Sequence, residues 1–249
     1  MTGKAPLEIR GVSKNYGGLR AVQDVSFAAQ GGEILGIVGP NGAGKTTLFD
    51  VISGHTRCTR GDVLVDGAVV TNAPVNVRLK RGIARTFQQP TVAGSMTVFE
   101  NMLLAAFFAP RRGREAGRSP AGTAAEHLEL VGLEDAASAN AGSLSIFDKK
   151  RLMLATALAT GAHVLLLDEP FGGLSAGEID FTIEVVRRVR DRGVAVVCIE
   201  HVMRALVSLA DRVMVMHHGA TFFEGSPAEM LRDEKVIEIY LGVGAGSRP

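Results

Sequence analysis

The chain has 249 residues, 46% of them hydrophobic and 21% charged, with a formal net charge of +1. That length supports a compact α/β core, or a core with a smaller appended lobe, and the composition is that of a folded globular protein. The near-zero charge gives no support for strong electrostatic attachment to nucleic acid, and the two cysteines, Cys58 and Cys198, fit no metal-binding spacing.

The segment Met1 to Pro6 lacks the long apolar core of a secretory signal, and no stretch has the uninterrupted apolar length of a membrane span. A soluble or peripheral protein is expected, with the apolar run Met102 to Ala109 part of a packed helix. Leu7-Glu8-Ile9-Arg10 alternates apolar with polar, and Val22 to Ala28 follows a Gly17-Gly18 turn, so both read as strands. Tyr16 stands just before that turn. Its ring either stacks on adenine, since every base offers a π-face, or is a partly buried edge-strand tyrosine, and position alone leaves the two even.

Gly31-Gly32 turns the chain into Ile34-Leu35-Gly36-Ile37-Val38, a short buried strand. Next comes Gly39-Pro40-Asn41-Gly42-Ala43-Gly44-Lys45-Thr46-Thr47, then Leu48 to Ile52 with helical apolar spacing. Strand, glycine-rich turn and helix are the context in which G-x-x-x-x-G-K-[ST] is a phosphate-binding loop. The glycines let backbone N–H groups point at a phosphate chain, and the helix N-terminus adds its positive end. Lys45 is placed to reach the β- and γ-phosphates, and the Thr46 hydroxyl to ligate Mg²⁺.

Gly61 to Gly67 is another alternating strand, closed by Asp66-Gly67, so an antiparallel β lobe is expected around the entry to the nucleotide. Thr97 and Glu100 form a capping box before Asn101-Met102-Leu103-Leu104, and Ala124 to Val131 is helical again. Between them, Pro110 to Pro120 carries Arg111, Arg112, Arg114 and Arg118 among glycines. It reads as an exposed loop whose charges are solvated, with contact to lipid headgroups the sharper alternative.

Val164-Leu165-Leu166-Leu167 has the continuous apolar character of a strand buried on both faces of a parallel sheet, and it delivers Asp168-Glu169-Pro170 at its carboxyl end. Asp168 suits Mg²⁺, through its water shell, and Glu169 suits orientation or deprotonation of an attacking water. Ser175 and Glu178 cap a helix running to about Arg192. Val194 to Ile199 is the next buried strand, with Cys198 a buried thiol, and its end places His201 for contact with the γ-phosphate. Arg212 to Met216 and Ala220 to Phe223 form a hairpin across His217-His218-Gly219, where both histidines read as turn residues. Ser226-Pro227-Ala228-Glu229 opens a further helix. Residues 242–249 read as a frayed tail.

With these residues placed, the chain resembles the nucleotide-binding subunits of ABC transporters over almost its whole length. Tyr16 fits the adenine-stacking aromatic, Gly39 to Thr47 the Walker A loop, Val164 to Glu169 Walker B with the catalytic glutamate, and His201 the switch histidine. Gln88, in Arg85-Thr86-Phe87-Gln88, fits the glutamine that joins core and helical lobe and senses Mg²⁺ and the membrane partner. The resemblance implies an α/β P-loop NTPase fold with a RecA-like core, an N-terminal antiparallel β lobe and an inserted helical lobe. The core with its β lobe is expected at 1–90 and 161–241 and the helical lobe at 91–160. It further implies ATP hydrolysis with Mg²⁺, the metal met by Thr46, Gln88 and Asp168, and catalysis by Lys45, Gln88, Glu169 and His201.

Arg85 to Gln88, Thr97 to Met102 and Ile237 to Gly242 are similar to the branched-chain amino-acid importer subgroup, whose relatives also carry urea, amides and aromatic acids. The implied partners are a second ATPase subunit, two membrane permeases and a periplasmic or extracellular solute-binding protein, with no nucleic acid. The implied location is the cytoplasmic face of the inner or plasma membrane.

Two positions depart from the family pattern. The signature, usually Leu-Ser-Gly-Gly-Gln, is here Leu144-Ser145-Ile146-Phe147-Asp148, and an aspartate usual after Walker B is Ser175. Side chains at Ile146 and Phe147 obstruct the close backbone approach that glycines allow to the opposite subunit's ATP, and Asp148 adds negative charge there. Ser145 and Asp148 keep a capping-box pattern, so the helix still starts here. A heterodimer with two unequal ATP sites is therefore expected, with a homodimer the alternative. Two other readings compete: a soluble ABC-type ATPase acting on DNA or ribosomes, against which stand the absence of a coiled-coil insertion or tandem second unit, and a silent regulatory subunit, against which stand Lys45, Asp168, Glu169 and His201.

Overall fold

A computed structural model describes residues 4–109 and 117–241, so most of the arginine-rich stretch and the 242–249 tail lie outside the described residues. The chain opens with β1 (Leu7–Tyr16) and β2 (Leu19–Ala29), then β3 (Ile34–Val38) and α1 (Lys45–Ser53). β4 (Arg60–Val65), β5 (Ala68–Val69), α2 (Val75–Lys80) and β6 (Ile83–Arg85) follow. Three helices come next: α3 (Val98–Phe108), α4 (Pro120–Val131) and α5 (Ile146–Ala159). The chain then returns through β7 (Val164–Asp168), α6 (Ala176–Asp191), β8 (Ala195–Ile199), α7 (Met203–Leu209), β9 (Arg212–His217) and β10 (Ala220–Gly225), ending in α8 (Pro227–Met230) and α9 (Glu234–Leu241).

Two sheets result. The first, in the order β2-β1-β4-β5, is antiparallel throughout; the second runs β10-β9-β3-β8-β7-β6, parallel from β9 to β6. Every residue of β3, β7 and β8 is buried, as strands covered on both faces must be. Alternation along them serves two cores. Leu166, Val197 and Ile199 join α1 and the antiparallel sheet, whereas Leu165, Leu167, Val196 and Cys198 join α3 to α7. A third cluster ties Val236 of α9 to Val38, Val213 and Val215 beside the start of the glycine-rich loop.

The helical lobe is inserted between β6 and β7. Its entry is fixed by the reciprocal box at α3, where the Glu100 N–H donates to the Thr97 hydroxyl (3.1 Å) and the Thr97 N–H to the Glu100 carboxylate (2.8 Å). α5 begins at Ile146 with Ser145 as its cap, but only half a box forms: the Asp148 N–H donates to Ser145 Oγ (3.0 Å), while the Asp148 carboxylate turns to Arg151. Another correction concerns His217, which ends β9 and is not a turn residue; His218 takes the turn with φ +48°. Of the loop arginines, Arg118 is described, and it pairs with Glu126. Among the described residues no helix is long and apolar enough to cross a membrane.

Candidate functional site

The parallel order brings the carboxyl ends of β3, β8 and β7 side by side, so the glycine loop, Glu200-His201 and Asp168-Glu169 meet at one edge of the sheet. The loop's path requires its glycines. A Cβ at Gly39 (φ +149°) would lie 2.1 Å from the Met216 carbonyl, and one at Gly44 (φ +99°) 2.2 Å from the Ala21 carbonyl. α1 then starts without a side-chain cap and without an acidic residue in its first turn, which leaves its N–H groups available to an anion. Lys45 Nζ donates to the carbonyls of Gly39 (2.7 Å) and Pro40 (3.1 Å). Burial pushes its pKa down, against the opposing pull of Glu169 and Asp168.

An open cleft lies over this loop. Asn41, Gly42, Ala43, Gly44, Lys45, Thr46 and Thr47 form its floor, and Glu169 and Tyr16 stand in its walls. The Tyr16 ring is half exposed, with the Lys14 ammonium 4.6 Å from its centroid. Position in sequence left its role open; the fold puts the ring on the cleft. His218 also lines the cleft, and its carbonyl accepts from Gln23 Nε2 (2.7 Å), so the antiparallel sheet is anchored to the β9–β10 turn beside the loop.

Asp168 is buried, and its carboxylate accepts from Arg85 Nη2 (2.7 Å), while Arg85 Nη1 donates to Asp50 of α1 (2.6 Å). The guanidinium lies near the rings of Phe49 and Phe87, 5.6 and 5.2 Å from their centroids. Glu169 holds a left-handed backbone, φ +48°, uncommon for a residue with a side chain. Its carboxylate accepts from Gln88 Nε2 (2.6 Å), and His201 Nδ1 is 3.6 Å from the same oxygen. Gln88, Glu169 and His201 are thus brought together. Glu200 is buried and accepts from the N–H groups of His201 and Val202 (2.8 Å each) and Phe171 (3.2 Å), which joins the turns carrying Glu169 and His201.

Ser145, Ile146, Phe147 and Asp148 do not line this cleft. Ile146 projects, 64% exposed. Phe147 instead lies edge-on to Phe181 of α6, with the Arg151 guanidinium 4.6 Å from its centroid. Asp148 is paired with Arg151, so the charge expected to repel phosphate is already compensated. Of these side chains Ile146 is the one left projecting, while Phe147 is packed against its own chain. Ser175 caps α6, with its N–H and hydroxyl both donating to Glu178 (2.7 and 2.8 Å).

Three cations to which the sequence assigns no role make extensive contacts here: Arg78, Arg85 and Lys150. Arg85 lies within Arg85-Thr86-Phe87-Gln88, yet only its place at the end of β6, beside β7, reveals its contact with Asp168. Among the described residues no cluster of three or more histidine, cysteine or carboxylate side chains could hold a metal ion. The donor set is nevertheless suited to Mg²⁺, which is bound through one or two carboxylates, waters and substrate phosphates and not through a protein cage. Thr46 lies on the floor of the cleft, and the Asp168 carboxylate stands at the end of β7, held by Arg85.

A family profile described as ABC transporter matches residues 22–172, and one described as branched-chain amino acid ATP-binding cassette transporter matches 221–246. The chain is 33% identical to the high-affinity branched-chain amino acid transport ATP-binding protein BraF of Pseudomonas aeruginosa, over 95% of this chain and 97% of that one. It is 31% identical to the lipopolysaccharide export system ATP-binding protein LptB of Escherichia coli strain K12, over 96% and 98%. Among solved structures, the ADP conformation of an ATP-binding cassette of an ABC transporter superposes with a TM-score of 0.85 at 29% identity, over 95% of this chain and 98% of that one.

Proposed function

The chain belongs to the ABC transporter family of ATP-binding cassettes and is an ATPase, and from that premise we propose that it energises an importer of branched-chain amino acids or related small polar solutes. The observation that carries the catalytic part is the meeting of Gln88 and His201 with Glu169, which lines the cleft over the glycine loop. Support for the importer part comes from the similarity to BraF and the match at 221–246.

In this reading the backbone N–H groups of residues 39–47 and the start of α1 hold the phosphates, and Tyr16 stacks on the adenine. Lys45, now turned onto the Gly39 and Pro40 carbonyls, exchanges those acceptors for phosphate oxygens. Thr46 and Asp168 would hold Mg²⁺, which when bound would offset charge on the phosphates, and Gln88 would contribute to the same metal site. Arg85 restrains the Asp168 carboxylate. Glu169 orients water and takes its proton as the oxygen attacks the γ-phosphorus and the bond to ADP breaks. Gln88 aligns the Glu169 carboxylate, and His201 stands beside it for the γ-phosphate.

Tyr16→Ala should weaken ATP binding by about 1–3 kcal/mol, the worth of one base–aromatic stack. Nucleotide titration checks this, with inorganic triphosphate, which has no base, binding unchanged.

The cleft holds only half of the groups such a site needs, and the signature that faces a nucleotide lies elsewhere on the chain. Two ATPase chains meeting head to tail at the cytoplasmic face of the membrane supply the other half. The membrane permeases dock on the helical lobe, where Leu104, Phe107 and Phe108 are exposed. An open groove lined by Leu79, Val92, Ala93, Ala105 and Phe108 lies beside the segment carrying Gln88. Projecting Ile146 and the loss of both signature glycines make this an unequal pair: this chain's loop and Glu169 work against an intact signature, and the partner's nucleotide meets an obstructed one.

Export is the second reading, favoured by the likeness to LptB. Affinity purification from membranes separates them. Two multispanning permeases, a second ATPase and a solute-binding protein support import, and permeases without a solute-binding protein support export. Ribosomes or DNA would overturn both.

A further inference from the structure

We propose that Lys150 is a positioning residue for hydrolysis: from the helix that follows the irregular signature, it fixes the backbone that carries Glu169. This rests on the role given to Glu169 above.

Lys150 lies in the second turn of α5, whose N-terminus is the Ser145–Ile146 surface. Its Nζ donates to the carbonyls of Glu169 (3.3 Å), Pro170 (3.1 Å) and Gly172 (2.7 Å). An ammonium has three protons and no acceptor, so this single turn satisfies it completely. The turn is held on its other side by the buried Glu200, which accepts from the Phe171 N–H (3.2 Å). Carbonyls face Lys150 and an N–H faces Glu200; between them Glu169 is kept at φ +48°. Such a conformation persists only where surrounding contacts impose it. Releasing the carbonyls allows the backbone to relax and carries the Glu169 carboxylate away from Gln88 and His201.

Seating α5 does not need Lys150. Leu152, Met153 and Ala155 are buried in the core, and Arg151 ties the helix to the end of α4 through the carbonyls of Val131 (2.9 Å) and Gly132 (2.7 Å). Lys150 instead links the signature helix to the hydrolytic turn by direct side-chain hydrogen bonds. A displacement of α5, as its N-terminus engages the partner's nucleotide, therefore reaches this chain's own Glu169 through one side chain.

The test uses the full chain in its purified assembly as Lys150→Met and Lys150→Arg, with Glu169→Gln alongside, reading ATP turnover, affinity for a fluorescent ATP analogue and thermal stability. Lys150→Met should lower kcat by roughly 10- to 100-fold, the effect of misplacing a reacting group by about an ångström. KM, nucleotide affinity and Tm should stay near wild type, and Lys150→Arg, which still donates to carbonyls, should recover most of the rate. If Lys150→Met does not fold, Lys150→Gln, with two amide protons, should give an intermediate kcat. Wild-type turnover in Lys150→Met while Glu169→Gln is inactive overturns the role of Lys150 alone. A joint fall of kcat, affinity and Tm that Lys150→Arg does not restore overturns it as well. Wild-type turnover in Glu169→Gln removes the premise.

Discussion

Glu169→Gln should lower ATP hydrolysis by about 10²- to 10⁴-fold, the contribution of a positioned general base, and leave nucleotide binding intact. Glutamine keeps the size of the side chain and an oxygen for the Gln88 amide, now 2.6 Å from the Glu169 carboxylate. What it loses is the capacity to take a proton from water. The phosphate loop, Lys45 and Tyr16 are untouched, so ATP should still fill the cleft. Turnover measured beside equilibrium binding of ATP checks both parts. A variant that binds and hydrolyses at the wild-type rate would move the base elsewhere.

Arg78→Ala should destabilise the fold by about 3 kcal/mol, since hydrogen bonds to a charged group contribute about 1.5–3 kcal/mol and buried acceptors would be left unpaired. Arg78 is among the largest fully buried side chains. Its Nη1 donates to the carbonyls of Val51 (2.5 Å) and Ile52 (2.7 Å), its Nη2 to Thr71 (2.6 Å) and its Nε to Ala73 (2.9 Å). Val51 and Ile52 lie in the last turn of α1, where carbonyls run short of helical partners, although the Gly54 N–H also reaches the Val51 carbonyl (3.3 Å). A cation there also complements the negative end of the helix that begins at Lys45. Gly54 is fitted to the same side chain: a Cβ there would stand 2.9 Å from Arg78 Nε. Denaturant unfolding of Arg78→Ala should show the loss as a lower midpoint, and about 3 kcal/mol is a large part of a typical domain stability of about 5–15 kcal/mol. An unchanged midpoint would mean that water satisfies these carbonyls in place of the guanidinium.

Chemistry that local pattern encodes is legible in the sequence. Val164–Leu167 announces a strand buried on both faces, and the residues it delivers, Asp168 and Glu169, stand where that strand ends. The glycines of residues 39–47 are legible because a phosphate loop needs them at fixed spacing, and Thr97 and Glu100 because a capping box does. Arg78, Arg85 and Lys150 are not legible: a cation that serves distant backbone carbonyls or a carboxylate on another strand leaves no period and no spacing. The altered signature shows both sides. Loss of its glycines is plain in sequence, but the consequence differs between neighbours. Phe147 folds onto Phe181 and Asp148 onto Arg151, partners supplied by packing, and only Ile146 is left projecting.

ATP turnover by the purified assembly tests the inequality of the two ATP sites most directly. Glu169→Gln is placed in this chain, and the equivalent glutamate is changed in the partner ATPase in a second preparation. The change in this chain should remove nearly all hydrolysis while the partner's change removes little, because the partner's nucleotide should meet Ile146 where a glycine is needed. Equal losses from the two substitutions would contradict it.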